Sequence, residues 1–272
     1  MIYSDRLRKS IIKKISLGTS RVEIGLRKSI FEYFSSMNLN QELICTQNFE
    51  ILFNKYIEKV INFKLLKCDN VLIDQSTIDR ESLYNRISIL DEIIVNGDSL
   101  LFIGDNDFVS IILSYDERVK SITVVDLDDQ VLQFISDNAN NDKVVIIKED
   151  FKEYLSRDKV PNYGTFQVVQ SDPPYTETGF RLYNHIANCN IEFGGYFLLV
   201  VPDMEYEKWN YELKLDIQRS LVQGGFVVEK IFKHNQTFID YYGIISSTWL
   251  LQKVMTGEIP NINNKKKLYT IR

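Results

Sequence analysis

A chain of 272 residues with 44% hydrophobic and 25% charged side chains can bury one large core, or a medium domain with an appendage. Its formal net charge of −5 argues against holding nucleic acid by bulk electrostatics, without excluding nucleic acid, and suits a small cationic substrate. Three scattered cysteines, Cys45, Cys68 and Cys189, form no C-x-x-C pair, no apolar run reaches transmembrane length, and Met1 is followed by Asp5, Arg6 and Arg8 without an apolar core; no disulfide framework, membrane span or secretory leader is expected, and a cytoplasmic protein without metal is.

Residues 1–75 read as a mainly helical N-terminal domain. "RLRKSIIKKI", "RVEIGLRKSIFEYFSSM" and "NFEILFNKYIEKVINFKLL" place Ile, Leu and Phe three and four residues apart, with Lys and Arg between them. Arg6, Arg8, Lys9, Lys13, Lys14, Arg21, Arg27 and Lys28 make the first forty residues basic. A winged-helix-like, DNA-binding module is one reading of such helices. A solvated face that packs a subdomain is the plainer one and is preferred. "DNVLIDQSTIDRES" (69–82) is polar and turn-prone, and reads as a linker.

Residues 76–255 change pattern. Short, unalternated apolar runs recur between helical stretches: "SLLFIGD" (99–105), "SITVVDLD" (121–128), "KVVIIKED" (143–150), "TFQVVQSDPPY" (165–175), "GYFLLVVPD" (195–203), "GFVVEKIFK" (225–233) and "ISSTWLLQKV" (245–254). Such runs describe strands buried on both faces of a mostly parallel sheet. The last two lie close in sequence and fit an antiparallel edge hairpin. The expected class is therefore α/β, in the Rossmann-like form used by S-adenosylmethionine-dependent transferases. Residues 256–272, with "NINNKKKLYTIR", read as a flexible C-terminal tail.

In open α/β sheets a ligand sits beyond the carboxyl ends of the strands. Four of the runs end in acid: Asp105 with Asp107, Asp126 with Asp128, Asp150, and Asp172. Gly104 lets the backbone approach a ligand, but G-D-N-D lacks the later glycines of a pyrophosphate loop and fits a nucleoside without phosphates. Asp126 is placed for ribose hydroxyls, with Asp128 as its alternative. Asp150 is placed near an adenine edge, or simply caps the next helix. Asp172 precedes Pro173 and Pro174, whose fixed φ stiffens the turn and aims the carboxylate, and Tyr175 offers a π-face. A carboxylate beside an aromatic face can receive an amine and accept its proton; the plainer reading is a Pro-Pro turn capped by Asp. His234 and, in the same stretch, Asp240, Tyr241 and Tyr242 are weaker candidates for lining the site. Asp203 is a weaker acid, and His185 reads as structural. No Ser/His/Asp triad, metal cluster or P-loop can be assembled.

D-P-P-Y alone resembles amino-group methyltransferases. Together, "DQSTIDRESLYNRISIL", "LLFIGDNDFVSIIL", "ITVVDLDDQVLQFI" and "DPPYTETGF" resemble the branched-chain polyamine synthase family, the N4-bis(aminopropyl)spermidine synthases, over roughly residues 72–255. The resemblance implies aminopropyl transfer from decarboxylated S-adenosylmethionine to a polyamine nitrogen. Asp105 and Asp107 then match the outer acids of the family's acidic loop, and Asp172 the acid of its D-P-P. On that resemblance Asp105, Asp107 and Asp172 would face the polyamine. The residue reading sets Asp107, Asp172, Pro173, Tyr175 and His234 on the amine side, and Gly104, Asp105, Asp126, Asp128 and Asp150 on the donor side. Asn106 departs from the family, which has a third Asp there, and this opens a shorter amine or S-adenosylmethionine itself as donor. The alternatives are a methyltransferase acting on an amino group of a nucleic acid, a protein or a small amine, and a ligand-controlled DNA-binding regulator. A homodimer is compatible with all of these.

Overall fold

The seven apolar runs become the strands of one sheet: β1 (Asp98–Ile103), β2 (Val119–Asp126), β3 (Val144–Lys148), β4 (Phe166–Ser171), β5 (Ile191–Pro202), β6 (Phe226–Thr237) and β7 (Ile245–Lys253). They are seen in a computed structural model that describes residues 5–16, 49–66, 75–156, 160–203, 207–238, 244–257, 259 and 267–269. The strand order is β3-β2-β1-β4-β5-β7-β6. The first five strands pair in parallel, and β7 pairs antiparallel to both β5 and β6. This is the expected Rossmann-like transferase sheet, with the hairpin's second strand inside and its first strand at the edge.

Two strands depart from the expected burial. Val145 of β3 is 55% exposed, and β6 shows Val227, Val228 and Ile231 to solvent. Both are edge strands, which lack a neighbour on one side and are covered less completely by helices. The central strands follow the expectation. Their period of two sends Leu100 and Phe102 to one face of the sheet, and Leu101 and Ile103 to the other.

The helices are α1 (Asp5–Ser16), α2 (Phe49–Leu66), α3 (Arg80–Ile93), α4 (Val109–Leu113), α5 (Asp129–Asn138), α6 (Glu177–Asn190) and α7 (Lys208–Gln223). Side chains of α2, α3, α4 and α5 join the first face, and those of α6 and α7 the second. The described part of the N-terminal region is thus continuous with the α/β core. Tyr56 of α2 stacks on Tyr115 at 4.2 Å, and Phe63 on Phe134 at 3.8 Å. On α1, Lys13 donates to the carbonyls of Asp91 (2.5 Å) and Ile94 (3.0 Å), at the negative end of α3's dipole. Burial pulls its pKa down to about 8. Lys13 therefore serves helix packing rather than a basic binding face.

The tail expected to be flexible is anchored at its described residues: Ile259, Leu268 and Tyr269 are buried. Arg21, Arg27, Lys28, Cys45 and Cys68, and the loop candidates Asp240, Tyr241 and Tyr242, lie outside the described residues. Among the described residues no helix is long and apolar enough to cross a membrane.

Candidate active site

Strand register brings the acids together. Ile103 at the end of β1 is level with Val125 of β2 on one side and Ser171 of β4 on the other. The next residues, Gly104, Asp126 and Asp172, therefore emerge side by side where the sheet order reverses, the position at which open α/β sheets hold ligands. A cavity of about 170 Å³ opens there, lined by Gly104, Asp105, Asn106, Asp107, Asp126, Asp172, Pro173, Pro174 and Tyr175 among others. Gly104 has φ +78°, and a Cβ built on it would meet nothing within 4 Å. The backbone is bare toward open space, as a closely approaching ligand requires.

The loop after β1 divides its two acids. Asp105 turns inward: its two oxygens accept from the N–H groups of Val109 and Ser110, each at 3.0 Å. Burial lifts its pKa to about 7, against the pull of those donors. Asp126, also buried, accepts from the N–H groups of Asp105 (3.2 Å) and Asp128 (2.9 Å). These bonds fix the β1 and β2 loops to each other. Asn106 donates its amide to the Ser76 carbonyl at 3.0 Å, and Gln75 reaches Asp126 at 3.4 Å. The stretch expected to be a linker is thus a wall of the site. It is held there by the bridge between Ile78 and Phe238 and by the bond from Asp79 N–H to the Thr237 carbonyl.

Asp107 turns the other way, to Arg86 of α3. Arg86 is 1% exposed and donates to Asp107 Oδ2 at 2.7 Å, Asp172 Oδ2 at 3.1 Å and Gln236 Oε1 at 2.9 Å. Burial works against its charge, but Asp107 and Asp172 outweigh that and raise its pKa. The two carboxylates expected to face an amine are therefore already joined through one buried cation. Asp172 remains 23% exposed. Burial pushes its pKa up to about 6, Arg86 pulls it down, and the Asp107 charge pushes it up again.

The D-P-P-Y turn borders the cavity, which Pro173 and Pro174 line. Thr176 accepts from the Gly179 N–H at 2.9 Å and so caps α6. A Cβ at Gly179 would lie 2.4 Å from the Pro174 carbonyl oxygen, so only glycine lets α6 start this close to the turn. Tyr175 packs its ring along Phe180 and shares a hydrogen bond with Ser246 at 2.6 Å. Its pKa is driven well up by burial and by Asp172, so it stays a neutral phenol.

Three other sequence candidates lie outside the cavity lining. Asp128 caps α5 through the Gln130 N–H at 2.8 Å, and Asp150 accepts from the Lys152 N–H at 2.9 Å at the start of the 3-10 turn Phe151–Ser156. For both, the plainer reading of an acid at a strand end describes what the carboxylate does. His234 sits within β6 at φ +53°, not in a loop, and its imidazole lies 3.2 Å from Asp203. Asp203 is also held by Lys214 and by Ser247, so His234 belongs to a separate polar cluster.

Sequence reading passed over Arg86, Gln236, Gln75 and Ser76, together with the aromatic wall of Phe151, Tyr183 and Tyr269. Arg86 did carry a signal. Leu83, Arg86, Ile87 and Leu90 share one buried helical stripe, and a charge in such a stripe needs a buried partner. Chemically, the assembly presents one part-open carboxylate, held in place from behind, beside a phenol and a bare backbone turn. That arrangement can receive a cationic or neutral nitrogen next to a second, uncharged ligand. Among the described residues no group of three side chains suits a metal ion.

The model of the branched-chain polyamine synthase A C-terminal domain matches residues 56–271. An uncharacterized protein of Methanocaldococcus jannaschii is 26% identical over 97% of this chain and 67% of its own length. The N(4)-bis(aminopropyl)spermidine synthase of the same organism is 26% identical over 78% of this chain and 60% of its own. The chain thus spans roughly two thirds or less of these relatives. Among solved structures, the branched-chain polyamine synthase of Thermus thermophilus, in complex with N4-aminopropylspermidine and 5'-methylthioadenosine, superposes with a TM-score of 0.64 at 15% identity, over 78% of this chain and 67% of its own.

Proposed function

This chain belongs to the branched-chain polyamine synthase family, and from that premise we propose that it transfers an aminopropyl group from decarboxylated S-adenosylmethionine to an amine nitrogen of a polyamine. One observation carries the reading: Asp172, stiffened by Pro173 and Pro174, holds a part-open carboxylate at the cavity while Arg86 anchors it from behind.

The donor contributes an activated carbon on sulfur, so a C–N bond forms as the C–S bond breaks and methylthioadenosine leaves. The chain's residues position and deprotonate. The bare turn at Gly104 and the buried Asp126 carboxylate would receive the nucleoside, with the ribose hydroxyls on Asp126, and Phe151 and Tyr183 would wall its base. Asp128 and Asp150, which cap the next turns through Oδ1 and lie outside the cavity lining, are given no role in this reading. Asp172 accepts the proton of the attacking nitrogen, Tyr175 borders it, and Asp107 adds negative charge for a neighbouring ammonium. Alignment of this kind supplies roughly 7–11 kcal/mol of a barrier. The acid limb of the rate should lie near pH 6, where Asp172 loses its proton.

The test is to incubate the protein with putrescine, spermidine or spermine and either decarboxylated S-adenosylmethionine or S-adenosylmethionine, and to read product masses. Gain of an aminopropyl group supports the proposal. Gain of a methyl group would move the chain to the methyltransferase reading, and no product with any pair would sink both.

A further inference from the structure

The acid cluster has a cation at its centre, which the transfer reading uses only as the anchor of Asp172. Arg86 sits on α3, which is locked to the end of β6. The Thr237 N–H donates to Ser82 Oγ at 2.8 Å, Gln236 Nε2 reaches the Ser82 carbonyl at 3.3 Å, and Asn85 reaches the Asn235 carbonyl at 3.4 Å. The helix that carries the guanidinium is thus held in place by bonds within the chain itself. Its two terminal nitrogens then divide the work: Nη1 holds Asp107, and Nη2 holds Asp172 and Gln236.

We propose that Arg86 is a positioning residue of the acceptor half, whose guanidinium spans Asp107 and Asp172, keeps both carboxylates charged and leaves Asp172 as the one that takes the substrate's proton. The inference rests on the aminopropyl-transfer reading. Its physical basis is like-charge repulsion. Two carboxylates that share a low-dielectric site cannot both stay ionised without a cation between them. The groups acting on Asp172 are Arg86 from α3, Asp107 from the loop after β1 and Tyr175 from its own turn, and Asp172 in turn acts on Tyr183 of α6. Arg86 is the cation in that set. A planar fork can bridge two carboxylates in fixed directions, which a point-charge ammonium cannot.

A merely structural arginine would stabilise the fold without setting where the reaction titrates, so the pH profile separates the two roles. The experiment measures kcat/KM for aminopropyl transfer from about pH 5 to pH 9 in wild type, Arg86→Met and Arg86→Lys, with methylthioadenosine affinity by calorimetry. In Arg86→Met the acid limb should move up by about one unit or more, because Asp172 loses its stabilising cation while Asp107 still repels it. Methylthioadenosine affinity should hold. In Arg86→Lys the limb should stay near its wild-type position while kcat falls by about a hundredfold, since charge survives and geometry does not. An unmoved limb in Arg86→Met, or methylthioadenosine affinity lost in step with activity, would overturn the inference. If Arg86→Met does not fold, Arg86→Lys and Gln236→Leu decide: both keep the cation, and a limb displaced in either contradicts the proposal. Failure of the wild-type protein to alkylate any amine would instead refute the transfer reading itself.

Discussion

Two arginines are buried between pairs of aspartates at opposite ends of this sheet, and they are built differently. Arg118, just before β2, reaches Asp116 through Nε at 3.1 and 3.2 Å and Nη2 at 2.6 Å, and Asp91 at 2.5 Å. Asp116 is 1% exposed, and its other contacts include the Arg118 backbone N–H at 2.9 Å. Arg86, at the carboxyl ends of the strands, keeps an Nε without a hydrogen-bond partner among the described residues, and one of its two carboxylates opens to a cavity. The first cluster is closed only in that it lies away from that cavity, and it fastens α3 to β2. Exposure does not separate the two, since Asp91 is 29% exposed against 23% for Asp172. The same residue types thus separate into scaffold and candidate chemistry by whether the part-open carboxylate lines the cavity.

Four substitutions sharpen or break that contrast. The largest effect is expected at the open end: Asp172→Asn should lower turnover by about 10²–10⁴-fold, the usual range for a lost general base, with methylthioadenosine affinity preserved in calorimetry. Equal loss of that affinity would place Asp172 in the donor half. At the closed end, Arg118→Met should cost about 3–5 kcal/mol in denaturant unfolding, because Asp116 is left buried without its cation, yet the acid limb of kcat/KM should not move. A displaced limb there would erase the distinction between the two clusters. Asn106→Asp should cost about 1–3 kcal/mol, since a carboxylate cannot donate to the Ser76 carbonyl, and hydrogen exchange around residues 75–79 should quicken; unchanged exchange would mean that the wall stands without this bond.

The smallest expected effect is a slope. Burial raises the Asp105 pKa in the folded chain to about 7, above its ordinary value. The stability linked to this group is therefore full below about pH 4 and lost as pH rises through about 7. Asp105→Asn should flatten that part of the melting temperature against pH. An unchanged curve would mean that the carboxylate is charged when folded.

Much of this was legible in the chain. Strand runs ending in Gly104, Asp126 and Asp172 pointed to the sheet and to its ligand edge, because parallel strands bury residues in unbroken runs and leave the residues just beyond them at the rim. The D-P-P turn declared its stiffness through two fixed φ angles. The hidden part was long-range. Arg86 meets Asp172 across 86 positions and Gln236 across 150, and no local periodicity reports such a meeting. Gln75 and Ser76 looked like a linker because polar, turn-prone residues look alike whether they cross solvent or wall a cavity. Asp128 and Asp150 show the converse: a carboxylate after a strand caps the next helix as readily as it binds a ligand, and the chain alone does not separate the two.

The Gln236 contact also has a consequence for the order of assembly. The bonds that knit the donor side, from Asp105 to Val109 and from Asp126 to Asp105, span only 4 and 21 positions. The acceptor side closes only when the end of β6 meets α3 and when Ser246 of β7 meets Tyr175, 71 positions away. Closing long loops costs more chain entropy and comes later on average. On the proposed reading, the bonds between the β1 and β2 loops on the nucleoside side are therefore local enough to form once β2 flanks β1, while the amine side waits for the last two strands of the chain.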